Sequence, residues 1–380
     1  MKVTVHDSMS TIARDDWNQL AGTEYPFLRH EFLHLAEASG CVSPEHGWTP
    51  RHLTIESAGT LRAAMPFYQK SHSWGEFVFD WAWAQAYEQA GLSYYPKLIS
   101  AVPFTPAPSR RLLLADRNDS DAAAALLQAA IDLARESDCS SIHIQFPSND
   151  ELPLFREAGF LLRKDCQFHW HNRDYEDFDA FLASFGSAKR KKAKRDRRRV
   201  QENGISFRRI RGANIDAETW SIVYSLISRT FLIRGAVPYF NEAFFRGISA
   251  EIPDGVLIVL AEKDSQTVAA AVFFESATTL YGRYWGSNAH YDALHFETCY
   301  YQGIDYCIEK GLQVFQPGTQ GEHKISRGFS PVATWSAHWL AHPQFAHAIE
   351  HYLDEEAKHI DQYIDAVDLH SPYKRDGHQS

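Results

Sequence analysis

Residues 256–287 read VLIVLAEKDSQTVAAAVFFESATTLYGRYWGS, three apolar or alternating runs separated by the polar breaks at Asp264-Ser265 and Ser276–Thr278. Runs rich in Val, Ala, Phe and Tyr between polar turns specify a three-stranded antiparallel meander. The stretch that follows supplies the next elements: a helix in HFETCYYQGIDYCIEKG, a strand in LQVFQPG, the loop TQGEHKISRGF, a strand in ATWSAHWLA and a terminal helix from Pro343 to about Asp365. Upstream of the meander, a helix running from Asp177 through a basic stretch stops at Asn203-Gly204, a good helix terminator. Strand ISFRRI and helical stretches at Glu218–Phe231 and Asn241–Ile248 complete this half.

The first half uses the same grammar. VTVHDS, RHLTIES, LRAAMPFYQK, RRLLLA and SIHIQFP read as strands, with amphipathic stretches at Arg14–Ala21 and Glu31–Gly40. A helix from Asp121 to Ser137 places Ala122, Leu126, Ala129, Ala130 and Leu133 at helical spacing. Residues 71–108 are too apolar for a disordered loop and too interrupted for one helix, so they are expected to fold over a cleft. The unit LLQAAIDLARESDCSSIHIQFP is echoed by YYQGIDYCIEKGLQVFQP about half a chain later, which points to an internal duplication. A length of 380 residues suits two cores. The expected domains are 1–165 and 166–380, the second carrying a basic helix at 187–203.

Composition narrows the function classes. No apolar leader and no run of about 20 apolar residues is present, so a cytoplasmic protein without a membrane span is expected. Five cysteines, scattered and without a CxxC pair, indicate neither a disulfide framework nor a zinc module. His169 and His171 alternate onto one strand face while Cys166 falls on the other, and no metal site is expected. Net charge is -10, yet Lys189–Arg199, KRKKAKRDRRR, sets nine basic residues against Asp196. With charge on every face, this stretch does not read as an amphipathic core helix. It is a solvated surface, a contact for general nucleic acid or an anionic membrane, or a phosphate site for tRNA or another phosphorylated substrate, with Lys189, Arg190, Lys191, Lys194, Arg195 and Arg198 as the contacts.

Three stretches carry a family resemblance: FLASFGSAKRKKAKRDRRRVQENGISF, the meander, and YYQGIDYCIEKGLQVFQPGTQGEHKISRGF. Together with SHSWGEFVFDWAWAQAY, YYPKL and PFTP, they make the chain similar, over almost its whole length, to the FemAB-like group of predicted N-acyltransferases. The resemblance implies an α/β (α+β) protein of two tandem GNAT-like (acyl-CoA N-acyltransferase-type) halves, each a mixed central sheet flanked by helices. It implies that the strand LQVFQPG lies parallel to the last meander strand, with ligands bound where the two splay apart. It further implies transfer of an acyl or aminoacyl group onto an amine acceptor, such as a cell-envelope precursor. The donor would be aminoacyl-tRNA or acyl-CoA, with no permanently bound cofactor. A non-enzymatic phosphate- or nucleic-acid-binding protein on the same fold is the remaining alternative.

Two departures bear on the donor. No insert is long enough for a coiled-coil arm, and the junction SNAHYDALHFET lacks the glycines of a Q/R-x-x-G-x-G/A pyrophosphate turn.

Acyl transfer to an amine needs proton acceptors, proton donors and oxyanion stabilisation, but no covalent nucleophile. The loop Gly318–Gly328 concentrates such groups, with Glu322, His323 and Lys324 as catalytic candidates and Gln320 and Arg327 as substrate contacts; solvated surface charge is the alternative. Tyr281, Arg283 and Trp285 alternate along one strand and are expected to share a face, with Tyr284 opposite. His295 and Glu297, at the start of the helix after the meander, either meet substrate or serve the helix start, where a carboxylate is favoured. In the first half Lys70, His72, Glu76, Asp80 and Lys97 punctuate an aromatic region of the kind that lines ligand sites, with Lys70, His72 and Glu76 as substrate contacts; pairing by salt bridges is the alternative.

Overall fold

Leu98, Ile142, Ile144 and Ala337 are buried on neighbouring strands, and Leu126, Ala130 and Leu127 of one long helix pack against them. That contact organises the first of two compact units in the computed structural model, which describes residues 2–319 and 321–374. The first unit is Met1–Asp165 with Ala333–Asp361, and the second is Cys166–Val332 with Gln362–Ser380.

In chain order the first unit holds β1 (Lys2–His6), α1 (Arg14–Ala21), α2 (His30–Ala38), β2 (Trp48–Pro50), β3 (His52–Ser57), β4 (Thr60–Met65), β5 (Tyr68–Lys70), α3 (Trp81–Gln89), β6 (Lys97–Ser100), β7 (Leu113–Leu114), α4 (Ser120–Glu136), β8 (Ser141–Gln145) and α5 (Leu152–Glu157). The run LRAAMPFYQK, expected as one strand, breaks at Pro66-Phe67. Proline has no N–H for a ladder, and the two pieces join different sheets: β4 pairs with β3 and β7, whereas β5 pairs with β2 and β6. β6 and β8 are parallel neighbours connected through α4. α4 starts where the Asp119 carboxylate accepts the Ala122 N–H at 3.0 Å.

The second unit begins within β9 (Leu161–His171) and continues through α6 (Phe178–Ala183), α7 (Ser187–Glu202), β10 (Ser206–Arg211), α8 (Ala217–Ile233), α9 (Glu242–Glu251), β11 (Val256–Lys263), β12 (Gln266–Glu275), β13 (Thr279–Ser287), α10 (Leu294–Phe296), α11 (Gln302–Lys310) and β14 (Val314–Gln316). A π-helical turn, Glu297–Tyr301, separates α10 from α11. The sheet order is β10-β11-β12-β13-β14-β9, antiparallel except for the parallel β13/β14 pair. The apolar run Val256–Ala261 is buried throughout, as a strand covered on both faces requires.

β15 (Ser330–Leu340) and α12 (Pro343–Asp368) end the chain. The segment Ala333–Asp361, grouped with the second half from sequence, packs with the first unit. Residues Ser336–Leu340 pair with β8, and Leu340, Ile349 and Leu353 share a cluster with Trp83, Tyr87 and Tyr94. This pairing is non-local, and local pattern carries no sign of it.

Candidate active site

Parallel pairing of β13 with β14 spans only Thr279–Tyr281 against Val314–Gln316. β14 then ends, β13 runs on to Ser287, and the chain from Pro317 leaves beside Gly282. Contact there is close: a Cβ built on Gly282 would stand 3.3 Å from the Pro317 Cα. At the same level Val272 faces Tyr284 while Phe273 faces Gly282, so Arg283 is the extra residue of a β-bulge.

The bulge corrects the expectation that Tyr281, Arg283 and Trp285 share a face. One inserted residue reverses the alternation, putting Tyr281 opposite Phe274 and Trp285 opposite Ala271. Trp285 packs with Ala269, Val200 and Leu294, its ring 5.1 Å from that of His295. Tyr284 instead meets Phe240 and Phe245 of the other layer. Two residues on, a Cβ at Gly286 would lie 2.1 Å from the Leu226 carbonyl carbon, so only glycine lets α8 rest on this strand.

The loop after β14 closes on itself. Gly321 (φ 119°) and Gly328 (φ 97°) bracket a 3-10 turn over Glu322–Arg327. Lys324 is buried and donates to the Gly318 carbonyl at 2.7 Å. Burial, assisted by the nearby Arg283 charge, pulls its pKa down to about 7. His323 Nε2 and the Tyr300 hydroxyl are 2.9 Å apart, and burial followed by the Arg327 charge lowers the His323 pKa. His295, whose ring lies 5.3 Å from that of Tyr300, is lowered to about 4 by burial and by His323. Both imidazoles are therefore neutral near pH 7 beside an amine that titrates there. The loop thus holds proton acceptors and a proton donor together.

Neighbouring candidates have other occupations. Arg327 lies 3.3 Å over the Phe296 ring, donates to the His323 carbonyl at 2.6 Å and sits 3.8 Å from Asp196, which braces the loop. Glu322 is exposed and accepts the Tyr363 hydroxyl at 3.0 Å. Glu297 is buried between Arg197, at 3.1 Å, and the Gln302 amide, at 2.8 Å; burial raises its pKa against the pull of Arg197. Gln320 lies outside the described residues. Beyond the end of β13, a groove of about 450 Å³ is lined by Arg229, Trp285, His290, Tyr291, His295 and Phe296. At its floor Ala293 occupies the left-handed region (φ 65°), a conformation that a glycine would adopt without strain.

The basic stretch forms α7, and its burial corrects the reading that no face is internal. Ala193, Asp196 and Val200 make a narrow buried stripe at helical spacing, and Arg197 turns inward, 4.1 Å over the Phe178 ring. Lys194 pairs with Asp179 at 2.8 Å and Arg198 with Glu202 at 3.5 Å. Lys189, Arg190, Lys191 and Arg195 form no ion pair among the described residues.

In the first unit Lys70 and Glu76 are buried, while His72 is half-buried, its Nδ1 accepting the Trp74 N–H at 3.2 Å. Lys70 donates to the Trp74 carbonyl at 3.2 Å and lies 3.9 Å over the Trp48 ring. His143 and His338, absent from the sequence-based candidates, join Glu76, Asp80 and Lys97 of the aromatic region in one buried network. The signal was present as Ser141/His143/Gln145 and Ser336/His338, polar at every second position, but that pattern reads as a solvent-facing strand. Among the described residues, no group of three or more His, Cys, Asp or Glu is placed to hold a metal ion. No helix among them is long and apolar enough to cross a membrane.

A bulged strand splayed from a parallel neighbour, with a crossover helix between them, defines the second half, and the parallel pair β6/β8 joined through α4 repeats the plan in the first. The chain is a tandem GNAT-like α/β protein. It belongs to the FemAB-like family, described as peptidoglycan biosynthesis/recognition, whose model matches residues 8–375. Two solved structures agree on the fold. The crystal structure of FemX superposes with a TM-score of 0.54 at 13% identity, covering 92% of this chain and 100% of that one. The C-terminal domain of a putative lysylphosphatidylglycerol synthetase from Agrobacterium fabrum gives 0.56 at 9% identity, covering 89% and 95%. A tandem GNAT protein from the clavulanic acid biosynthesis pathway gives 0.46 at 12% identity, covering 90% and 99%. No curated protein sequence matches the chain.

Proposed function

We propose that this protein is an N-acyltransferase that moves an aminoacyl group from charged tRNA onto the amine of a cell-envelope precursor. The observation that carries the reading is the loop Gly318–Gly328, which sets Lys324 and His323 beside the bulge at Arg283, where parallel strands part and ligands of α/β sheets bind. Membership in the FemAB-like family supports transfer in envelope synthesis.

In this reading the acceptor nitrogen bonds the acyl carbon as the ester C–O bond breaks. The proton lost by nitrogen passes to the neutral His323 imidazole, and the leaving oxygen takes one from the Lys324 ammonium. Such proton transfers contribute roughly 10²–10⁴-fold each. Glu322, exposed at the loop's rim, attracts the incoming ammonium, which yields its first proton to solvent so that the neutral amine attacks. Arg283, Trp285 and Arg327 shape the crevice, Tyr281 backs it from the other face of the strand, and Lys189, Arg190, Lys191 and Arg195 meet tRNA phosphates.

The donor choice rests on two observations. Cations without ion-pair partners are concentrated on α7, and Ala293 stands where close backbone approach to a diphosphate favours glycine. Incubation with radiolabelled aminoacyl-tRNA or acyl-CoA and a panel of amine-bearing envelope precursors tests the reading. Label transfer from charged tRNA supports it, transfer from acyl-CoA alone reassigns the donor, and transfer from neither overturns it.

A further inference from the structure

The first unit carries a second polar assembly that the loop chemistry does not use. Cross-strand pairing puts Lys70, Lys97, His143, Gln145 and His338 on one sheet face, and all are buried. The opposite face is the apolar one that meets α4. Chain from Ser71 to Tyr95 covers the polar face and contributes the acids. Lys97 Nζ donates to Ser73 at 2.7 Å, to Glu76 Oε2 at 2.8 Å and to Asp80 Oδ2. Gln145 holds Glu76 Oε2 at 2.9 Å, and the Tyr94 hydroxyl donates to Asp80 Oδ2 at 2.6 Å. Tyr94 continues to His143 at 3.2 Å, His143 to His338 at 2.6 Å, and His338 to Ser336 at 2.8 Å.

One oxygen of each acid is left over. Glu76 Oε1 and Asp80 Oδ1 are buried without a hydrogen-bond partner among the described residues, in side chains that are 2% exposed. A core that served packing alone would gain from apolar residues here, because a partly satisfied buried network is worse than none. Lys97 begins β6 and Gln145 ends β8, so the two acids are gripped from opposite ends of a parallel pair of strands. Among the described residues, Lys97 is the one lysine or arginine that bonds the two acids, since Lys70 is turned to the Trp74 carbonyl and the Trp48 ring.

We propose that this buried polar assembly binds a small molecule bearing a protonated primary amine, whose ammonium is held by Glu76 Oε1 and Asp80 Oδ1. Lys97 fixes both carboxylates, and the His143–His338 pair orients Tyr94 behind them. The inference is independent of the acyl-transfer reading, since it concerns binding in the first unit alone.

Titration of the full chain with L-alaninamide, followed by calorimetry, tests it. Saturable one-to-one binding is expected, and none with N-acetyl-L-alaninamide, which lacks the charge. Glu76→Gln and Asp80→Asn should each weaken binding about tenfold or more, while Lys324→Met in the other unit leaves it unchanged. Where a variant fails to fold, a crystal of the wild-type chain soaked with L-alaninamide locates the ligand directly. Density beside Glu76 and Asp80 supports the proposal. Absence of saturable binding, equal binding of the acetylated probe, or density only elsewhere overturns it. Loss of acyl transfer with amine binding intact would instead count against the loop chemistry.

Discussion

The ammonium of Lys324 and the carbonyl of Gly318 lie 2.7 Å apart, so the loop leaving β14 is closed by a buried cation on its own first glycine. A lysine here is costly to stability. Its pKa is about 7 in the folded chain and near 10.5 when unfolded, so the unfolded state binds the proton more tightly. The penalty is full below pH 7 and shrinks as pH rises from about 7 towards 10.5.

Lys324→Met should therefore stabilise the protein while reducing transfer. At pH 7 the gain is on the order of 1–3 kcal/mol once the lost hydrogen bond to Gly318 is subtracted, and it should diminish by pH 10. Denaturant melts at both pH values check this. A variant less stable than wild type at pH 7 would show Lys324 to be a brace.

Two sets of cations on α7 should separate by experiment. Lys191→Glu, Arg195→Glu and Arg198→Glu together touch exposed groups, so the fold should hold while tRNA binding at low salt is lost. Arg197→Ala should do the reverse. It strands the buried carboxylate of Glu297 and should cost about 2–4 kcal/mol, with little change in the salt dependence of binding. Filter binding and thermal melts on the same preparations distinguish the two.

None of the five cysteines should act as nucleophile. Burial pushes the thiols of Cys299 and Cys307 well above their usual range, and that of Cys139 up to about 11, so none of these three supplies thiolate at neutral pH. A chain with all five replaced by Ala or Ser should retain transfer wherever it folds. A folded variant without turnover would contradict this.

What sequence revealed and what it hid divide along local and non-local lines. The meander, the crossover helix and the strand Val314–Gln316 are written in apolar period and turn residues, while the parallel pairing that opens the crevice followed only from the family resemblance. The bulge at Arg283 was not legible, because no residue in TLYGRYWGS marks it, and it alone decides that Tyr281 and Trp285 face apart. The helix α7 hid its buried stripe because Asp196 and Arg197, inside a run of cations, find their partners Arg327 and Glu297 more than 90 residues away in sequence. His143 and His338 met the same fate: their pairing joins residues 195 apart.

The sharpest prediction concerns the pH profile of transfer. His323 must be neutral to accept a proton, and its pKa is lowered from 6.5, so kcat/KM should fall only under acidic conditions. Lys324 must be charged to donate, so the rate should decline as pH rises through about 7. Lys324→Arg keeps the cation but does not titrate in this range, so it should remove the alkaline limb at a reduced maximum. Tyr300→Phe deletes the hydroxyl 2.9 Å from His323 and should shift the acid limb without removing it. Glu322→Gln, on an exposed group held by Tyr363, should raise KM for the acceptor and leave both limbs in place. Rate measurements from pH 5 to 10 on these four proteins decide the assignment. An alkaline limb that survives in Lys324→Arg would remove Lys324 from the proton path, and an acid limb lost in Glu322→Gln would put the carboxylate there instead.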